Sequence, residues 1–135
     1  MTLSLDTNVL IELLQDRVPA IRAAFAKAQS AEDEMVVSVL VAHELRFGAR
    51  LSRRDVEVRT VEALLARLPI VPFTEDDADG ATRVRLGLER IGQRIGAMDM
   101  LIAGQALARG WSVVTANTHE FDRVSGLHVL DWTPR

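Results

Sequence analysis

The 135-residue sequence contains no cysteine and no tyrosine, and lysine occurs only at Lys27. Without cysteine the chain can form no disulfide bond and carry out no thiolate chemistry, which suits a reducing compartment. No apolar run approaches the roughly 18 residues of a membrane-spanning helix. The initial MTLSLD lacks the basic region and long apolar stretch of a signal peptide. These absences predict a cytoplasmic protein with no membrane association.

The formal net charge of −3 excludes a protein that coats nucleic acid through bulk positive charge. Apart from Lys27, the basic residues counted in this charge are all arginines. Codon bias explains that preference, and so does phosphate recognition by the planar guanidinium group, and composition does not decide between them. Aromatic residues make up only 4% of the chain, so stacking platforms for nucleic-acid bases are few.

Short apolar runs alternate along the chain with segments of helical periodicity. The length of 135 residues predicts one domain covering residues 1–135. The alternation predicts an α/β fold of three layers, α/β/α, around a central, mainly parallel sheet. The predicted strands are 3–5, 35–37, 70–73, 111–115 and 129–130. The predicted helices are 7–14, 18–30, one from Leu40 to about Gly48, 53–68, 74–91 and 99–110.

Several details of these elements can be tested against the structure. Pro69 and Pro72 flank the strand at 70–73, which places it at an edge of the sheet. Thr74 and the acidic residues after it are typical of a helix start, so Asp76 and Asp77 are explained without a catalytic role. The residues of helix 53–68 expected to face inward are Val56, Val61, Leu64, Leu65 and Leu68.

Four acidic residues fall near the predicted ends of strands. Asp6 directly follows the first strand, and Glu44 lies on the helix that leaves the second strand. Glu120 follows the strand 111–115 after five residues, and Asp99 is in the first turn of the helix preceding that strand. Because ligands bind outside the carboxyl ends of parallel strands, we expect these four carboxylates to converge at one edge of the sheet.

Each carboxylate has a plainer explanation when it is taken singly. Asp6 fits a helix N-cap, Asp99 fits an acid at a helix start, and Glu120 fits a surface turn. Glu44 is harder to explain, since its helix face is partly apolar and solvated carboxylates rarely occupy such a face without a partner. The apolar residues of that face are Val41, Leu45 and Phe47.

Converging carboxylates repel one another unless a cation joins them. Hard divalent ions such as Mg²⁺ or Mn²⁺ take oxygen ligands, and Mg²⁺ keeps several waters next to a phosphate. Such a bound ion lowers the pKa of a water molecule and neutralises charge on the phosphate, so the set predicts metal-assisted phosphoryl hydrolysis. Polar neighbours of the acids are candidates to orient metal-bound waters. They are Asn8, Ser38, Thr115 and Asn117.

Four stretches of the sequence form one recognisable series between Leu5 and Trp132. They are DTNVLIELL, SVLVAHELRFG, IGAMDMLIAGQAL and TANTHEFDRVSGL. In this order and spacing they resemble the PIN-domain nucleases, and among these the VapC-type toxins of bacterial toxin–antitoxin pairs. One such motif would be weak evidence, whereas four in register are specific.

The resemblance implies a PIN-like α/β/α fold and endoribonuclease activity that depends on Mg²⁺ or Mn²⁺. It also implies a homodimer, an RNA substrate (tRNA, rRNA or another RNA) and a VapB-type antitoxin that inserts a side chain into the acidic site. In this resemblance Asp6, Glu44 and Asp99 match the three core acids, Glu120 matches the fourth acidic position, and Thr115 and Asn117 match the polar positions after the late strand.

Three positions depart from the common pattern of that family. Met98 and Gln105 stand where relatives often have an aromatic residue and a histidine, and we expect them to bear on substrate or antitoxin contacts rather than on the chemistry. Glu120 stands where some members have the shorter aspartate, so we expect Asp6 and Asp99 to contact a metal ion more directly than Glu120 does.

Two other kinds of α/β protein with clustered acids do not fit this sequence. Haloacid-dehalogenase phosphatases need a second aspartate two residues after the first, where this chain has Asn8, and response-regulator receivers need a lysine after a late strand. A PIN-like binding module, or an RNA-processing nuclease outside toxin–antitoxin pairs with little intrinsic cleavage, remains as the alternative.

Two groups of arginines flank the predicted acidic site along the chain. Their simplest explanation is that they solvate exposed helix faces, and the alternative is contact with an RNA backbone. Composition leaves both explanations open. The residues concerned are Arg46, Arg50, Arg53, Arg54, Arg83, Arg85, Arg90 and Arg94.

Overall fold

The computed structural model describes residues 1–134, so Arg135, the last residue of the predicted domain, lies outside the described residues. Strands and helices alternate as the sequence predicts, with short strands and longer helices between them. The strands are β1 (Thr2–Leu5), β2 (Glu34–Ser38), β3 (Ile70–Val71), β4 (Ser112–Val114) and β5 (Val129–Leu130). The helices are α1 (Thr7–Gln15), α2 (Pro19–Ser30), α3 (Val39–Leu51), α4 (Asp55–Leu65), α5 (Glu75–Arg90), α6 (Ala97–Arg109) and α7 (Thr118–Phe121).

All strand pairs are parallel, and the sheet order is β3-β2-β1-β4-β5. Strand β1 is therefore central, and β3 lies at an edge, as Pro69 and Pro72 predicted. The chain builds outward from β1 through β2 to β3, then returns to the other side of β1 with β4 and β5. This reversal next to β1 is the topological switch point at which open α/β sheets bind ligands.

The helices form two groups that cover the sheet. Helices α1 to α4 contact one another, whereas α5 packs on α6 and α6 on α7. Right-handed crossovers place connections that run in opposite directions along a sheet on opposite faces, so the two groups form separate layers. The predicted α/β/α fold is confirmed. Among residues 1–134, no helix is long and apolar enough to cross a membrane.

The core lies between the sheet and the helices on either face. Its strand residues are almost fully buried, as expected for parallel strands covered on both sides. Leu5 on β1 and Val114 on β4 are aligned partners, and each is 0% exposed. Leu5 and Val114 are the last residues of their strands. Their packing in the core therefore fixes the positions of the residues that follow them, Asp6 and Thr115.

Several predicted boundaries and orientations were wrong. Helix α3 continues past Gly48 to Leu51, because Ala49 in its last turn is buried against the core and a single glycine does not end a helix. The predicted helix 53–68 is shorter, at Asp55–Leu65. Val56 does not face inward, since it is 60% exposed, and Phe47 on α3 is 61% exposed.

Candidate active site

Asp6 is built into the carboxyl end of the central strand. Its backbone N–H donates to the Val114 carbonyl at 2.9 Å, which continues the pairing of β1 with β4 by one residue. Its carboxylate caps helix α1 by accepting from the Thr7 N–H at 2.8 Å. The capping explanation is thus correct, and it is compatible with a second role because the other oxygen, Oδ2, has different partners.

Two side chains hold that second oxygen of Asp6. The Thr115 hydroxyl donates to Oδ2 at 2.8 Å and the Asn8 amide donates at 3.1 Å. Thr115 is fully buried, and its hydroxyl also accepts from the Asn8 amide and from the Asn117 N–H. Asn8 accepts the N–H of Ala116 at 3.0 Å, which ties the start of α1 to the segment after β4. Asp6 is therefore held rigidly from both sides.

Glu44 reaches the same region from helix α3. Its Oε1 accepts a hydrogen bond from the Thr7 hydroxyl at 2.9 Å. Since Thr7 directly follows Asp6, this bond holds Glu44 beside Asp6. Sequence reasoning missed Thr7. The signal was available, because a hydroxyl directly after Asp6 lies at the same strand end as the predicted carboxylates.

Asp99 and Glu120 form a close pair on the other side of Asp6. The Asn117 amide donates to Asp99 at 2.9 Å and to Glu120 at 3.0 Å. Glu120 also accepts from the Gly96 N–H at 3.5 Å, a partner that the sequence did not reveal. Asn117 lies at the start of α7 and Gly96 directly precedes α6. The hydrogen bonds around Asp99 and Glu120 therefore join the starts of two helices that are separated in sequence.

The pKa values record how closely these acids approach one another. Burial raises the pKa of Asp6, and the nearby negative charge of Glu44 raises it further. The hydrogen bonds that the carboxylate accepts lower the pKa, but the net shift is upward. Burial, a hydrogen bond with Glu120 and the charge of Asp6 raise the pKa of Asp99 to about 7. The pKa of Glu120 is lowered, chiefly because it accepts that hydrogen bond from Asp99. Without a cation, Asp99 therefore loses its proton only near pH 7, whereas Glu120 is already ionised there.

Ser38 has a different neighbour from the other predicted polar residues. It is fully buried at the end of β2, and its hydroxyl accepts from the Leu40 N–H at 3.2 Å as the N-cap of α3. It thereby fixes the start of the helix that carries Glu44. Its predicted role in orienting metal-bound water stays a prediction.

Asp77 and Gln105 form a separate cluster. Asp77 is 1% exposed and accepts two hydrogen bonds from Arg109, which lower its pKa to about 2. Gln105 is equally buried, and it donates to Asp77 and to the Pro72 carbonyl. The expectation that Gln105 bears on substrate or antitoxin contacts is not supported, because its side chain is enclosed between α5, α6 and the segment after β3.

Half of the flanking arginines pair with acids on the protein surface. Such exposed pairs contribute little to stability, and they are typical of solvated helix faces. The pairs are Arg46–Glu62, Arg54–Glu57, Arg83–Asp79 and Arg94–Glu89.

The site thus consists of one buried carboxylate, Asp6, and three partly exposed ones at the switch point of a parallel sheet. The sequence profile of the PIN domain matches residues 3–127. The chain therefore belongs to the PIN-domain family, as the four sequence stretches predicted.

The relatives place the chain within that family. It is 32% identical over 130 residues to the tRNA(fMet)-specific endonuclease VapC of Shigella flexneri, covering 96% of each chain. VapBC2 from Rickettsia felis, solved with a fragment of promoter DNA, is similar with a TM-score of 0.90 and 26% identity, covering 98% of this chain and 99% of that chain. DNA-bound VapBC from Salmonella typhimurium is similar with a TM-score of 0.85 and 32% sequence identity, covering 98% of this chain and 98% of that chain. Within the PIN-domain family, the chain is a member of the VapC group.

Proposed function

We propose that this chain is an endoribonuclease that hydrolyses RNA phosphodiester bonds as the toxin of a VapBC-type pair, using Mg²⁺ or Mn²⁺ held by Asp6, Glu44, Asp99 and Glu120. The observation that carries the proposal is the hydrogen-bonded network that draws these acids together beside the central strand. Membership of the VapC group supports RNA as the substrate, and relatives bearing that name are called ribonucleases or endonucleases.

The chemistry of the donor set fits a hard divalent cation. Carboxylate oxygens are the ligands that Mg²⁺ and Mn²⁺ prefer, and the raised pKa values of Asp6 and Asp99 show that burial and repulsion disfavour their charged forms, an effect that a bound cation would offset. Within residues 1–134, no three histidines, aspartates or glutamates are already arranged to hold one ion. Binding would therefore require Asp99 to lose its proton and the carboxylates to draw closer.

The side chains around the acids prepare this edge for a phosphodiester. Thr115 and Asn8 fix the orientation of Asp6, and Asn117 holds Asp99 and Glu120 together. When bound, the cation would supply an activated water and neutralise charge on the scissile phosphate. The supporting hydroxyl and amide groups are already in place, so the adjustment that ion binding requires is the approach of the carboxylates to one another.

Substitution of the central acids tests the activity. We expect Asp6→Asn and Asp99→Asn each to lower the RNA cleavage rate at least about 100-fold, because loss of a supporting residue alone typically costs 10–100-fold. Cleavage is measured on tRNA and rRNA with Mg²⁺, with Mn²⁺ and with EDTA. The matched control is Asp79→Asn, an exposed carboxylate on α5 that pairs with Arg83. The tRNA arm comes first because the relative in Shigella flexneri is named for tRNA(fMet).

Two results would contradict this assignment. Cleavage that survives both substitutions would show that these acids are not the catalytic set. A wild-type protein that binds its antitoxin tightly and cleaves no RNA under any of these conditions would favour the binding module instead.

A groove beside Glu44 supports a VapB-type partner. It has a volume of about 410 Å³ and runs between α1, α3 and α4, with an apolar floor that includes Leu14, Leu45 and Val61. Glu44 and Glu57 contribute carboxylates to its wall. An amphipathic segment with one basic side chain complements these features, since its apolar face fills the floor and its charge meets Glu44. The solved neighbours are VapBC complexes, which is consistent with this proposal.

We also propose that a second copy of the chain covers one face of helix α3. Val39, Phe47 and Leu51 are 38%, 61% and 70% exposed, and their spacing of four or eight residues aligns them in one stripe. Phe47→Asp would place a charge at the centre of this stripe and convert a dimer to a monomer, as measured by light scattering. An unchanged mass would exclude this face as the dimer contact.

A further inference from the structure

Arg123 is not one of the four acids, yet its guanidinium group joins helix α7, which bears Glu120, to the loop that precedes the helix bearing Asp99. Its Nη1 donates to the Arg94 carbonyl at 2.6 Å, and its Nη2 lies 2.9 Å from Nε2 of His119. A guanidinium group offers only donors, so that histidine nitrogen accepts the hydrogen bond. The Arg123 N–H also donates to the Glu120 carbonyl at 3.1 Å, which places Arg123 one turn after Glu120.

The acceptor Arg94 belongs to the loop 91–96 between α5 and α6. The last residue of this loop, Gly96, is the N-cap of α6 and donates its N–H to the Glu120 carboxylate. A methyl group at Gly96 would lie 3.6 Å from the Asp99 carboxylate and 3.8 Å from that of Glu120. The end of the loop is therefore in contact with both members of the acidic pair.

Elsewhere the loop is held by Ile95, which is partly buried against the core, and by an exposed ion pair of 3.9 Å between Arg94 and Glu89. The Arg94 side chain is 86% exposed, and Gly92 has a φ of 66°, where other residues are strained. Its early residues are held by bonds to α5, from the Gly92 and Gln93 N–H groups to the carbonyls of Glu89 and Leu88. The bond from Arg123 acts further along, between Gln93 and Gly96, and connects the loop to the helix that bears Glu120.

We propose that Arg123 is a positioning residue that holds the loop 91–96 against α7 and so sets the separation of Asp99 from Glu120. The proposal rests on the proposed nuclease function, because it concerns the same carboxylates. The positive charge of Arg123 also contributes to the lowered pKa of Glu120, after the larger effects of hydrogen bonds from Asp99 and Asn117. Removal of Arg123 would thus change the distance between the two acids and the charge beside one of them.

The test compares Arg123→Ala and Arg123→Lys with Arg22→Ala, a matched loss of an arginine that pairs with Asp16 away from this loop. We expect faster hydrogen exchange at residues 91–98 in both Arg123 variants. We also expect a 10–100-fold loss in Mn²⁺ affinity or kcat, the usual effect of losing a supporting residue. KM for RNA should change less than threefold, and Tm by about 4 °C or less.

Each outcome is decisive for the proposal. A lysine keeps the charge but cannot donate two divergent bonds in a fixed plane, so full recovery in Arg123→Lys would show that charge alone matters and overturn it. Arg123→Ala behaviour indistinguishable from that of Arg22→Ala would overturn it as well. Should Arg123→Ala fail to fold, the lysine variant carries the same comparison.

The exchange measurement separates this proposal from the nuclease function. If the wild type neither binds Mn²⁺ nor cleaves RNA, the proposed function fails, while faster exchange in the loop would still establish the contact made by Arg123. If the wild type cleaves RNA and the variants match it in exchange, affinity and kcat, only the role of Arg123 fails.

Discussion

The Thr115 hydroxyl connects the two halves of the candidate site. It donates to Asp6 and accepts from the Asn117 N–H, while the Asn117 amide holds Asp99 and Glu120. Through Asn117, this single buried hydroxyl therefore connects Asp6 at the end of β1 with the pair Asp99 and Glu120. Valine would match the shape of Thr115 but lose the hydroxyl's hydrogen bonds to Asp6 and to the Asn117 N–H, so Asp6 would lack its buried donor.

The raised pKa of Asp99 predicts how stability depends on pH in the metal-free protein. Its value is about 7, against an ordinary 3.8, so the folded protein favours the protonated form. The stability that this group contributes is present in full below pH 3.8 and is lost as the pH rises through 7. We expect Tm in EDTA to fall by a few degrees between pH 5 and pH 8.

Asp99→Asn tests this assignment. The variant should show a higher Tm than the wild type at pH 8 and a flatter dependence on pH, with a residual slope from Asp6, whose pKa is raised too. Asp77 does not interfere, because its pKa of about 2 makes its contribution change only below pH 3.8. Asp79→Asn should keep the wild-type slope. If Tm of Asp99→Asn falls with pH as steeply as that of the wild type, a group other than Asp99 causes the pH dependence.

At the scale of elements, the pairing of α5 with α6 determines where Asp99 lies. Gly80 and Gly104 face each other where the helices cross, and a Cβ atom at either would collide with backbone of the partner helix. Near the other end of α6, Arg109 is bonded to Asp77 and stacks on Trp111 at 5.2 Å. Helix α6 is thus fixed at its middle and at its end, which leaves its first turn, with Asp99, directed at the site.

Two glycines on one helix provide a matched test of that crossing. Gly80→Ala should destabilise the protein by about 1–3 kcal/mol or more, because the added methyl group overpacks against backbone. Gly87→Ala, also on α5, meets nothing within 4 Å and should stabilise the helix by about 0.5–1 kcal/mol. Urea denaturation measures both. Equal stability of the two variants would contradict the close approach of α5 and α6.

At the scale of the whole molecule, the site forms where the two helical layers meet the same edge of the sheet. Asp6 and Glu44 come from the half built by β1 to α4, and Asp99 and Glu120 come from the half built by α5 to β5. Neither half carries the full set. The parallel order of the sheet brings them together, since every strand ends at the same edge.

Filling the groove beside Glu44 tests the proposed partner surface. Gly48 lines this groove and has open space around it, so Gly48→Trp should fold normally and occupy the volume meant for an amphipathic segment. We expect the affinity for the co-expressed cognate antitoxin to fall at least about 10-fold, the equivalent of 1.4 kcal/mol, by calorimetry. Gly87→Trp, at an equally open position on α5, is the control. Unchanged affinity in Gly48→Trp would place the partner elsewhere.

The sequence by itself determined the architecture and the acidic residues. Alternating apolar runs and helical periods specify a parallel sheet, and any carboxylate that directly follows such a strand is delivered to a common edge. Asp6 could therefore be placed from its neighbours alone. Asn8, Thr115 and Asn117 were predicted because they lie near the acids in sequence, and in the structure they donate hydrogen bonds to the acids. Their role in orienting metal-bound water stays a prediction.

Only the tertiary structure decided which side chains meet across elements. The bond from Thr7 to Glu44 joins residues 37 positions apart, and that from Arg123 to Arg94 joins residues 29 apart. Local periodicity holds no information on such distances, because they depend on how helices cross and where loops fold back. The exposure of Phe47 and Val56 and the burial of Gln105 were decided in the same way, by which faces the neighbouring elements cover.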